Sequence, residues 1–225
     1  MPDTPPLLQC PVGEPHCKVI DTVSKLEREL LELRDMVHTD TLTGISNFRQ
    51  FRLILDQEIE RTRRTGTPTA LIMLDLDHFK QVNDRWGHEA GNQALILTAT
   101  NLKENVRVLD TPCRYGGEEF AIILPSTTLL VARQVAERLR KAIEHSDLTF
   151  EGNHIGLTAS LGVAILQHSD SVDAEGFIHK ADQQLYLSKK GGRNKVSYLH
   201  TETPDQQNQV NPEEKDALAN LFKPT

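Results

Sequence analysis

Cysteine, aromatic residues and long hydrophobic runs are all scarce in this sequence. Cysteine occurs 3 times in 225 residues, and aromatic residues make up 5%. So few cysteines do not build the disulfide framework of a small secreted protein. No run of about 18 apolar residues is present, as a membrane-spanning helix would need, and the first ten residues lack the basic start and apolar stretch of a signal peptide. We therefore expect a cytoplasmic protein without membrane insertion.

Positive charge is not in excess either. The formal net charge is −7, from 32 acidic and 25 basic residues, and residues 40–200 are close to neutral while both ends are acidic. A chain without a basic face is not a general nucleic-acid binder, so we expect no nucleic-acid partner. The hydrophobic fraction of 38% is enough to bury the core of one domain with appendages.

The two ends of the chain differ in pattern from its middle. Residues 1–17 are rich in proline and form an irregular lead, and residues 201–225 form a polar tail. In residues 18–39, apolar positions recur at spacings of four and three with charged neighbours, which favours a short coiled-coil helix that dimerises the chain. A single amphipathic helix lying on the domain is the alternative. The apolar positions are Val19, Val23, Leu26, Leu30, Leu33 and Val37.

The middle of the chain alternates between helix and strand patterns and includes one hairpin. Since hairpin strands are antiparallel and crossover strands are parallel, we expect an α/β domain with a central mixed sheet. Asn47 and Asp173 are predicted helix N-caps, and Gly66 and Gly191 are predicted stops. Helices are predicted at 47–65, 88–106, 128–145 and 174–190, and strands at 70–76, 113–115, 120–124, 155–166 and 196–199.

Two aspartates stand at the end of the most hydrophobic predicted strand. Asp75 and Asp77 are two residues apart, so a strand points both carboxylates to one face. Carboxylates at the end of a buried strand need a partner, and a hard cation such as Mg²⁺ suits them. An acidic strand end that faces water is the alternative interpretation.

A second acidic pair lies in the predicted hairpin turn, which reads Gly-Gly-Glu-Glu over 116–119. The glycines would allow a positive φ and the close approach of a ligand, although an exposed polar turn has the same composition. If the sheet brings Glu118 and Glu119 to the aspartates, the site could hold Mg²⁺ and phosphates, as phosphoryl and nucleotidyl transfer require. Three basic residues near predicted element ends would bind the phosphates: Lys80, Lys189 and Arg193.

Five segments in the right order resemble a known family. RYGGEEF at 114–120 resembles the signature of the GGDEF domain of diguanylate cyclases, in its GGEEF variant. Further segments similar to the family are DTLTGISNFRQF at 40–51, LDLDHFKQVNDRWGHEAGN at 74–92, SLGVA at 160–164 and ADQQLYLSKKGGRNKV at 181–196. The resemblance covers residues 40–200, which we interpret as the catalytic domain.

The resemblance implies a fold and a reaction. The fold would be a nucleotidyl-cyclase palm, a central mixed sheet wrapped by helices. The reaction would join two GTP into cyclic di-GMP with release of two pyrophosphates, with Mg²⁺, or Mn²⁺ in its place, as cofactor. The family's metal ligands match Asp75, the backbone carbonyl of Leu76 and Glu118, with Glu119 beside the metal. Asp75 and Asp77 are alternative acceptors of the 3′-hydroxyl proton.

The family's GTP contacts also match residues of this chain. The phosphates would meet the backbone N–H of Phe79 and the side chains of Lys80, Lys189 and Arg193. Asn83 would read the guanine edge. Asn92 stands where the family commonly has an acidic residue, and its amide offers one acceptor oxygen where a carboxylate offers two. Phe48 stands where an arginine is common, away from the metal segment.

The resemblance further implies an active homodimer and product control. Each domain would hold one GTP, so two domains must face each other to make a two-fold symmetric product. Arg107 and Asp110 have the RxxD spacing, five residues before the Gly-Gly pair, of the family's inhibitory site for cyclic di-GMP, and Arg138 would supply a second arginine.

Two hypotheses of function follow. The first is a working cyclase, and the second is a non-catalytic receptor that binds cyclic di-GMP at Arg107 and Asp110 and signals through its stalk. The intact acidic and basic signature favours the cyclase. Because the predicted coiled coil is short and no sensor pattern is visible, we expect a separate activator protein to bind the N-terminal helix and align the dimer.

Overall fold

A six-stranded mixed sheet lies at the centre of the protein. The computed structural model describes residues 22–26 and 38–199. In chain order, the strands are β1 (Ser46–Asn47), β2 (Thr69–Leu76), β3 (Thr111–Arg114), β4 (Glu119–Leu124), β5 (Leu148–Phe150), β6 (Asn153–Ile155), β7 (Ala159–Leu166) and β8 (Val196–Tyr198), and the helices are α1 (Phe48–Thr65), α2 (Phe79–Asn105), α3 (Leu129–Glu144) and α4 (Ala174–Lys190).

The strand order of the main sheet is β1-β3-β4-β2-β7-β8, and β5 and β6 form a separate two-stranded sheet. The central strand β2 runs antiparallel to β4 and β7, whereas the pairs β1–β3 and β7–β8 are parallel. The predicted mixed sheet with flanking helices is therefore confirmed. The hairpin predicted between 113–115 and 120–124 is the antiparallel pair β3–β4.

Two hydrophobic cores lie on opposite faces of the sheet. Along β2, Ile72 and Leu74 pack into the core with α2 and α3, whereas Leu71 and Met73 pack into the core with α1 and α4. Every residue of β2 is buried, as expected for a strand covered on both faces. The alternation also places Asp75 on the side of α4, because it continues the series Leu71 and Met73.

The predicted helix caps are confirmed. The Asn47 side chain accepts the N–H of Gln50 at 3.0 Å at the start of α1, and Gly66, with φ 75°, caps its end. The Asp173 side chain accepts the N–H of Gly176 at 2.8 Å at the start of α4. These side chains satisfy donors that the first helical turn leaves without a partner, so the helix bounds follow from local sequence.

Two element bounds were predicted wrongly. The helix predicted at 88–106 begins at Phe79, and the prediction missed its first part because Gly87, at φ 82° and ψ 167°, breaks the helix into two segments. The strand predicted at 155–166 is two strands, because residues 156–158 leave the pairing and Thr158 bonds to Asp77. Ile155 belongs to β6, which pairs with β5. Strand β5 and the short β1 were not predicted.

Most of the predicted coiled coil lies outside the described residues, as do the 1–17 lead and the 201–225 tail. Within the predicted coiled-coil segment, residues 22–26 are helical, and the apolar side chains of Val23 and Leu26 are 36% and 52% exposed. Among the described residues, no helix has the length and apolarity to cross a membrane.

Candidate functional site

The end of β2 brings an acidic and a basic residue into direct contact. The Asp75 carboxylate oxygen Oδ2 lies 2.7 Å from Nζ of Lys189 on α4, and the Asp75 side chain is 9% exposed. Burial raises the pKa of Asp75, and the ammonium of Lys189 only partly offsets that effect. Asp75 is also paired in register with Glu119 on β4 and with Ser160 on β7.

The Gly-Gly-Glu-Glu turn carries two more carboxylates to the same strand end. The backbone N–H of Leu76 donates to the carbonyl of Glu118 at 3.3 Å, which holds the turn beside β2. Burial raises the pKa of both Glu118 and Glu119, and the negative charge of Asp75 raises them further. The three carboxylates therefore repel one another, and a cation placed among them would relieve that repulsion.

Close packing against Glu119 accounts for a glycine at position 116, whereas a positive φ does not. Neither Gly116 nor Gly117 has a positive φ, so that expectation was wrong. A Cβ on Gly116 would lie 2.7 Å from Oε2 of Glu119, so a side chain at position 116 would displace that carboxylate. The backbone N–H groups of Tyr115 and Gly116 both donate to the Glu119 carbonyl, at 2.8 and 3.1 Å.

Helix α4 positions Lys189 through unusually close contact with the sheet. A Cβ on Gly162 of β7 would clash with the α4 backbone at Leu185, so glycine alone permits this approach. The buried hydroxyl of Ser188 donates to the carbonyl of Leu161 at 2.6 Å. These contacts fix the last turn of α4 against β7 and thereby fix the origin of the Lys189 side chain.

The other two predicted phosphate ligands border the same strand end. Lys80 is exposed in the first turn of α2, directly after β2, and Phe79 beside it is buried. The N–H groups of a first helical turn have no acceptor within the helix and can bind a phosphate. Arg193 is exposed in the turn after α4, and its charge lowers the pKa of Asp75, so it lies within electrostatic reach of the acidic group.

The break in α2 brings the two predicted guanine-binding residues together. A Cβ on Gly91 would overlap the Asn83 side chain, so Asn83 lies directly against the second segment of the helix. Asn92 is the next residue along that segment, and both asparagines are partly exposed. Gly87 makes this arrangement possible, because its positive φ turns the second segment back on the first.

Asp77 lies close to this group and accepts three hydrogen bonds from the protein. Its Oδ1 accepts the hydroxyl of Ser160 at 2.7 Å. Its Oδ2 accepts the hydroxyl of Thr158 and the N–H of Asn194, each at 2.9 Å. The sequence predicted that Asp75 and Asp77 share a face, but it gave no sign that only Asp77 is enclosed by protein donors.

Sequence reasoning missed two residues beside the acidic group. Asp182 on α4 raises the pKa of both Glu119 and Tyr115, and burial raises its own pKa. The spacing of seven residues between Asp182 and Lys189 places them on one helix face, a signal that could have been used. Asp182 and Tyr115 also line an open cleft of about 470 Å³ between α1 and α4, together with Phe48.

The predicted product-binding residues lie together at the other end of β3. The backbone N–H of Arg107 donates to Oδ2 of Asp110 at 2.8 Å, which closes a turn just before β3. Arg138 on α3 donates to the carbonyl of Asn105 at 2.6 Å. Its positive charge partly offsets the rise in the pKa of Asp110 that burial causes. The glycine turn follows β3, so these residues form a second cluster, separate from the acidic group.

Among the described residues, no three histidine, cysteine, aspartate or glutamate side chains converge into a ready metal cage. Mg²⁺ does not require one, since it is commonly held by one or two carboxylates together with substrate phosphates and water. The ammonium of Lys189 already stands at Asp75, which shows that this carboxylate accepts a cation. The donor set of Asp75, Glu118 and Glu119, all oxygen, fits a hard divalent ion.

Comparison with known proteins identifies the family. A sequence profile described as "Diguanylate cyclase, GGDEF domain" matches residues 37–195. The chain belongs to the GGDEF family. Among curated relatives, diguanylate cyclase DgcP of Pseudomonas aeruginosa is 38% identical over 167 residues, which are 74% of this chain and 25% of DgcP. Diguanylate cyclase DosC of Escherichia coli is 38% identical over 185 residues, which are 80% of this chain and 40% of DosC.

Solved structures of GGDEF proteins share the fold. The coiled coil and GGDEF domain of DgcB from Caulobacter crescentus, in complex with c-di-GMP, matches with a TM-score of 0.74 and 30% identity over 81% of this chain and 97% of that chain. Diguanylate cyclase SiaD, in complex with its activator SiaC from Pseudomonas aeruginosa, matches with a TM-score of 0.71 and 34% identity over 81% of this chain and 70% of that chain. The chain spans between a quarter and two fifths of the length of the curated relatives DgcP and DosC.

Proposed function

We propose that this GGDEF protein is a diguanylate cyclase, which joins two GTP into cyclic di-GMP and releases two pyrophosphates. The observation that carries the proposal is the convergence of Asp75, Glu118 and Glu119 with Lys189 at one strand end. Acids for a metal and a base for phosphates are the two components that nucleotidyl transfer needs. The relatives named diguanylate cyclases support the same reaction.

A divalent ion, Mg²⁺ or Mn²⁺, would be held by Asp75, the backbone carbonyl of Leu76, and Glu118, with Glu119 beside it. When bound, the ion favours attack of a 3′-oxygen on the α-phosphate and neutralises the leaving pyrophosphate. The raised pKa values of Glu118 and Glu119 support this proposal, because the crowded carboxylates gain most from a cation.

The basic residues would hold the triphosphate. Lys189 pairs with Asp75, and we propose that its ammonium would contact the outer phosphates of bound GTP. Lys80, the N–H of Phe79 and Arg193 would complete the phosphate contacts. Asn83 and Asn92, brought together by the break in α2, would contact the guanine edge.

Asp75 is the better candidate for accepting the 3′-hydroxyl proton. The carboxylate of Asp77 accepts hydrogen bonds from Thr158, Ser160 and Asn194, so three of its roughly four lone-pair sites already have protein partners. Asp75 is paired with the ammonium of Lys189 instead, and its place among the proposed metal ligands would put it beside the substrate.

The active form would be a homodimer. One domain offers one GTP site, and the product contains two guanosines in equivalent positions, so two domains must present their GTP to each other. The predicted coiled coil at 18–39 would align them. Support comes from DgcB, whose similar structure contains a coiled coil together with its GGDEF domain.

Product control would act through the cluster of Arg107, Asp110 and Arg138. The turn closed by Asp110 leaves the Arg107 side chain exposed, and the charges of both Arg107 and Arg138 reach Asp110. Guanidinium groups form strong paired hydrogen bonds with phosphate, so the cluster suits the two phosphates of cyclic di-GMP. A separate activator protein is also proposed to bind the N-terminal helix, and the similarity to SiaD, solved with its activator SiaC, supports such control.

A direct assay tests the proposed reaction. The full chain is incubated with GTP and Mg²⁺, and cyclic di-GMP and pyrophosphate are measured at several protein concentrations. We expect both products, with specific activity that rises with concentration because two chains are required. Glu60→Gln, which removes an exposed acid on α1, serves as the control for Glu118→Gln. A protein that binds cyclic di-GMP but forms none from GTP would be a receptor.

A further inference from the structure

The turn after α4 has a backbone that is uncommon for the residues it contains. Gly192, Arg193 and Asn194 have φ values of 106°, 64° and 45°, all in the left-handed region. Asparagine and glycine adopt this region readily, but a long side chain such as arginine does so rarely. Contacts around the turn must therefore hold Arg193 in this conformation.

The inner contact of the turn is a hydrogen bond to Asp77. The backbone N–H of Asn194 donates to Oδ2 of Asp77 at 2.9 Å. Asp77 is 8% exposed, and it is oriented by the hydroxyls of Thr158 and Ser160 from the start of β7. The carboxylate thus connects the end of β2 to the turn and to β7, and its hydrogen bonds are satisfied within the protein.

The outer contact of the turn is the Asn194 side chain. Its Oδ1 accepts a hydrogen bond from Arg140 at 2.8 Å, and its Nδ2 donates to Glu144 at 2.6 Å. Arg140 and Glu144 are themselves an ion pair on α3 at 2.8 Å, and the Arg140 side chain is 11% exposed. Both polar atoms of the amide are therefore engaged, so the position of Asn194 is specified from two sides.

We infer that Asp77 and Asn194 are positioning residues, which fix the turn so that the Arg193 guanidinium stays beside the acidic strand end. The inference rests on the proposed contact between Arg193 and the outer phosphates of GTP. Asp77 holds the backbone of the turn at the Asn194 N–H, and the Arg140–Glu144 pair holds the Asn194 side chain. Neither residue needs to contact GTP for its loss to weaken phosphate binding.

A double-mutant cycle in the full chain tests the inference. Arg193→Ala should lower kcat/KM for GTP about tenfold, as expected for one charged contact to phosphate. Asn194→Gly keeps the left-handed backbone accessible and removes only the side-chain contacts, and it should lower kcat/KM about fivefold. The double variant should have a kcat/KM no more than about tenfold below that of wild type. Once Arg193 is removed, the Asn194 contacts no longer affect phosphate binding.

The Asp77→Asn variant tests whether Asp77 positions the turn or accepts a proton from the substrate. It should raise KM for GTP with a smaller change in kcat, and its effect should largely disappear in the Arg193→Ala background. Loss of a proton acceptor would instead lower kcat in both backgrounds. Asn153→Gly, at an exposed asparagine in the β5–β6 hairpin, is the matched control and should leave kcat/KM unchanged.

The outcomes distinguish a failure of the proposed cyclase activity from a failure of the proposed positioning role. A wild-type chain that forms no cyclic di-GMP overturns the proposed function and this inference with it. An active wild type whose Asn194→Gly and Arg193→Ala effects multiply in full overturns the inference alone, as does an Arg193→Ala protein with normal kcat/KM. Circular dichroism and thermal unfolding of every variant show whether the fold is retained.

Discussion

Arg114 connects Asp40, at the start of the domain, to the glycine turn of the candidate site. Its guanidinium lies 3.2 Å from the Asp40 carboxylate and donates a 2.8 Å hydrogen bond to the carbonyl of Gly117. Asp40 also accepts hydrogen bonds from the N–H and hydroxyl of Thr43, at 2.9 and 2.6 Å. Asp40 is thus two contacts away from the turn that carries Glu118.

The Asp40–Arg114 pair should make stability depend on acidic pH. Burial alone would raise the pKa of Asp40, but the hydrogen bonds from Thr43 and the charge of Arg114 outweigh burial, and the net pKa lies below its ordinary value of 3.8. A carboxylate with a lowered pKa stabilises the fold above its unfolded pKa, and the effect is lost as pH falls through the folded pKa. Wild type should therefore be more stable than Asp40→Asn at pH ~7, and this difference should shrink below pH ~3.8.

Urea unfolding of both proteins at the two pH values measures the difference. Since hydrogen bonds to charged groups contribute about 1.5–3 kcal/mol, a gap of that size is expected at neutral pH. Asp56→Asn, on an exposed position of α1, is the control. A gap that stays constant from neutral to acidic pH would contradict the assigned role of the Asp40 charge.

Glu118→Gln and Asp75→Asn should remove metal ligands without unfolding the domain. Losing a ligand forfeits charge stabilisation in the transition state, so turnover should fall about a hundredfold or more. Mg²⁺ with a non-hydrolysable GTP analogue should raise the melting temperature of wild type but not of Glu118→Gln. A folded Glu118→Gln protein with near-normal turnover would remove Glu118 from the site.

Arg107→Ala should release the enzyme from product inhibition. The substitution would remove the proposed phosphate contact at the second cluster and leave the acidic strand end intact. Isothermal titration should show weaker binding of cyclic di-GMP, by about tenfold or more, and progress curves should stay linear as product accumulates. Arg133→Ala, whose guanidinium lies over Tyr198, is the control. Identical progress curves for wild type and Arg107→Ala would reject the cluster as an inhibitory site.

Asn92→Asp should improve guanine recognition. A carboxylate accepts from both the N1–H and the amino group of guanine, whereas the asparagine amide has one acceptor oxygen. We expect a KM for GTP that is lower by about tenfold, and a larger preference for GTP over ATP. Gln93→Glu introduces the same charge one residue further along α2 and should leave both quantities unchanged. If neither quantity moves in Asn92→Asp, residue 92 does not contact the base.

Leu30→Asp should weaken the dimer through the predicted coiled coil. It places a charge at an apolar position of the heptad pattern, and a coiled coil of under three heptads has little stability to spare. Light scattering with size exclusion should show fewer dimers, and specific activity should fall without any change at the metal residues. Arg28→Asp adds a carboxylate outside the apolar positions and is the control. A Leu30→Asp protein that remains dimeric and fully active would exclude this segment as the dimerising element.

The sequence by itself determined most of the local elements and the candidate residues. The N-caps Asn47 and Asp173, the buried strand β2 and the β3–β4 hairpin follow from short patterns, because capping, side-chain alternation and turn formation depend on neighbouring residues. The resemblance to the GGDEF family also implied which acids and bases should share one site. Lys189 reaches Asp75, although more than 100 residues separate them.

Only the tertiary structure decided how each of these residues is held. The donors to Asp77 come from positions 158, 160 and 194, and the partner of Arg114 is Asp40, 74 residues away. Such partners are brought together by the strand order and by close contacts such as that at Gly162, where helix and strand meet without a side chain between them. Two aspartates that look equivalent in the sequence therefore differ in the fold: Asp75 pairs with the partly exposed ammonium of Lys189, whereas Asp77 accepts three hydrogen bonds from protein donors. The physical reason is that neighbouring residues determine the face of a strand to which a side chain points. The hydrogen-bond partners of that side chain depend on every segment packed around it.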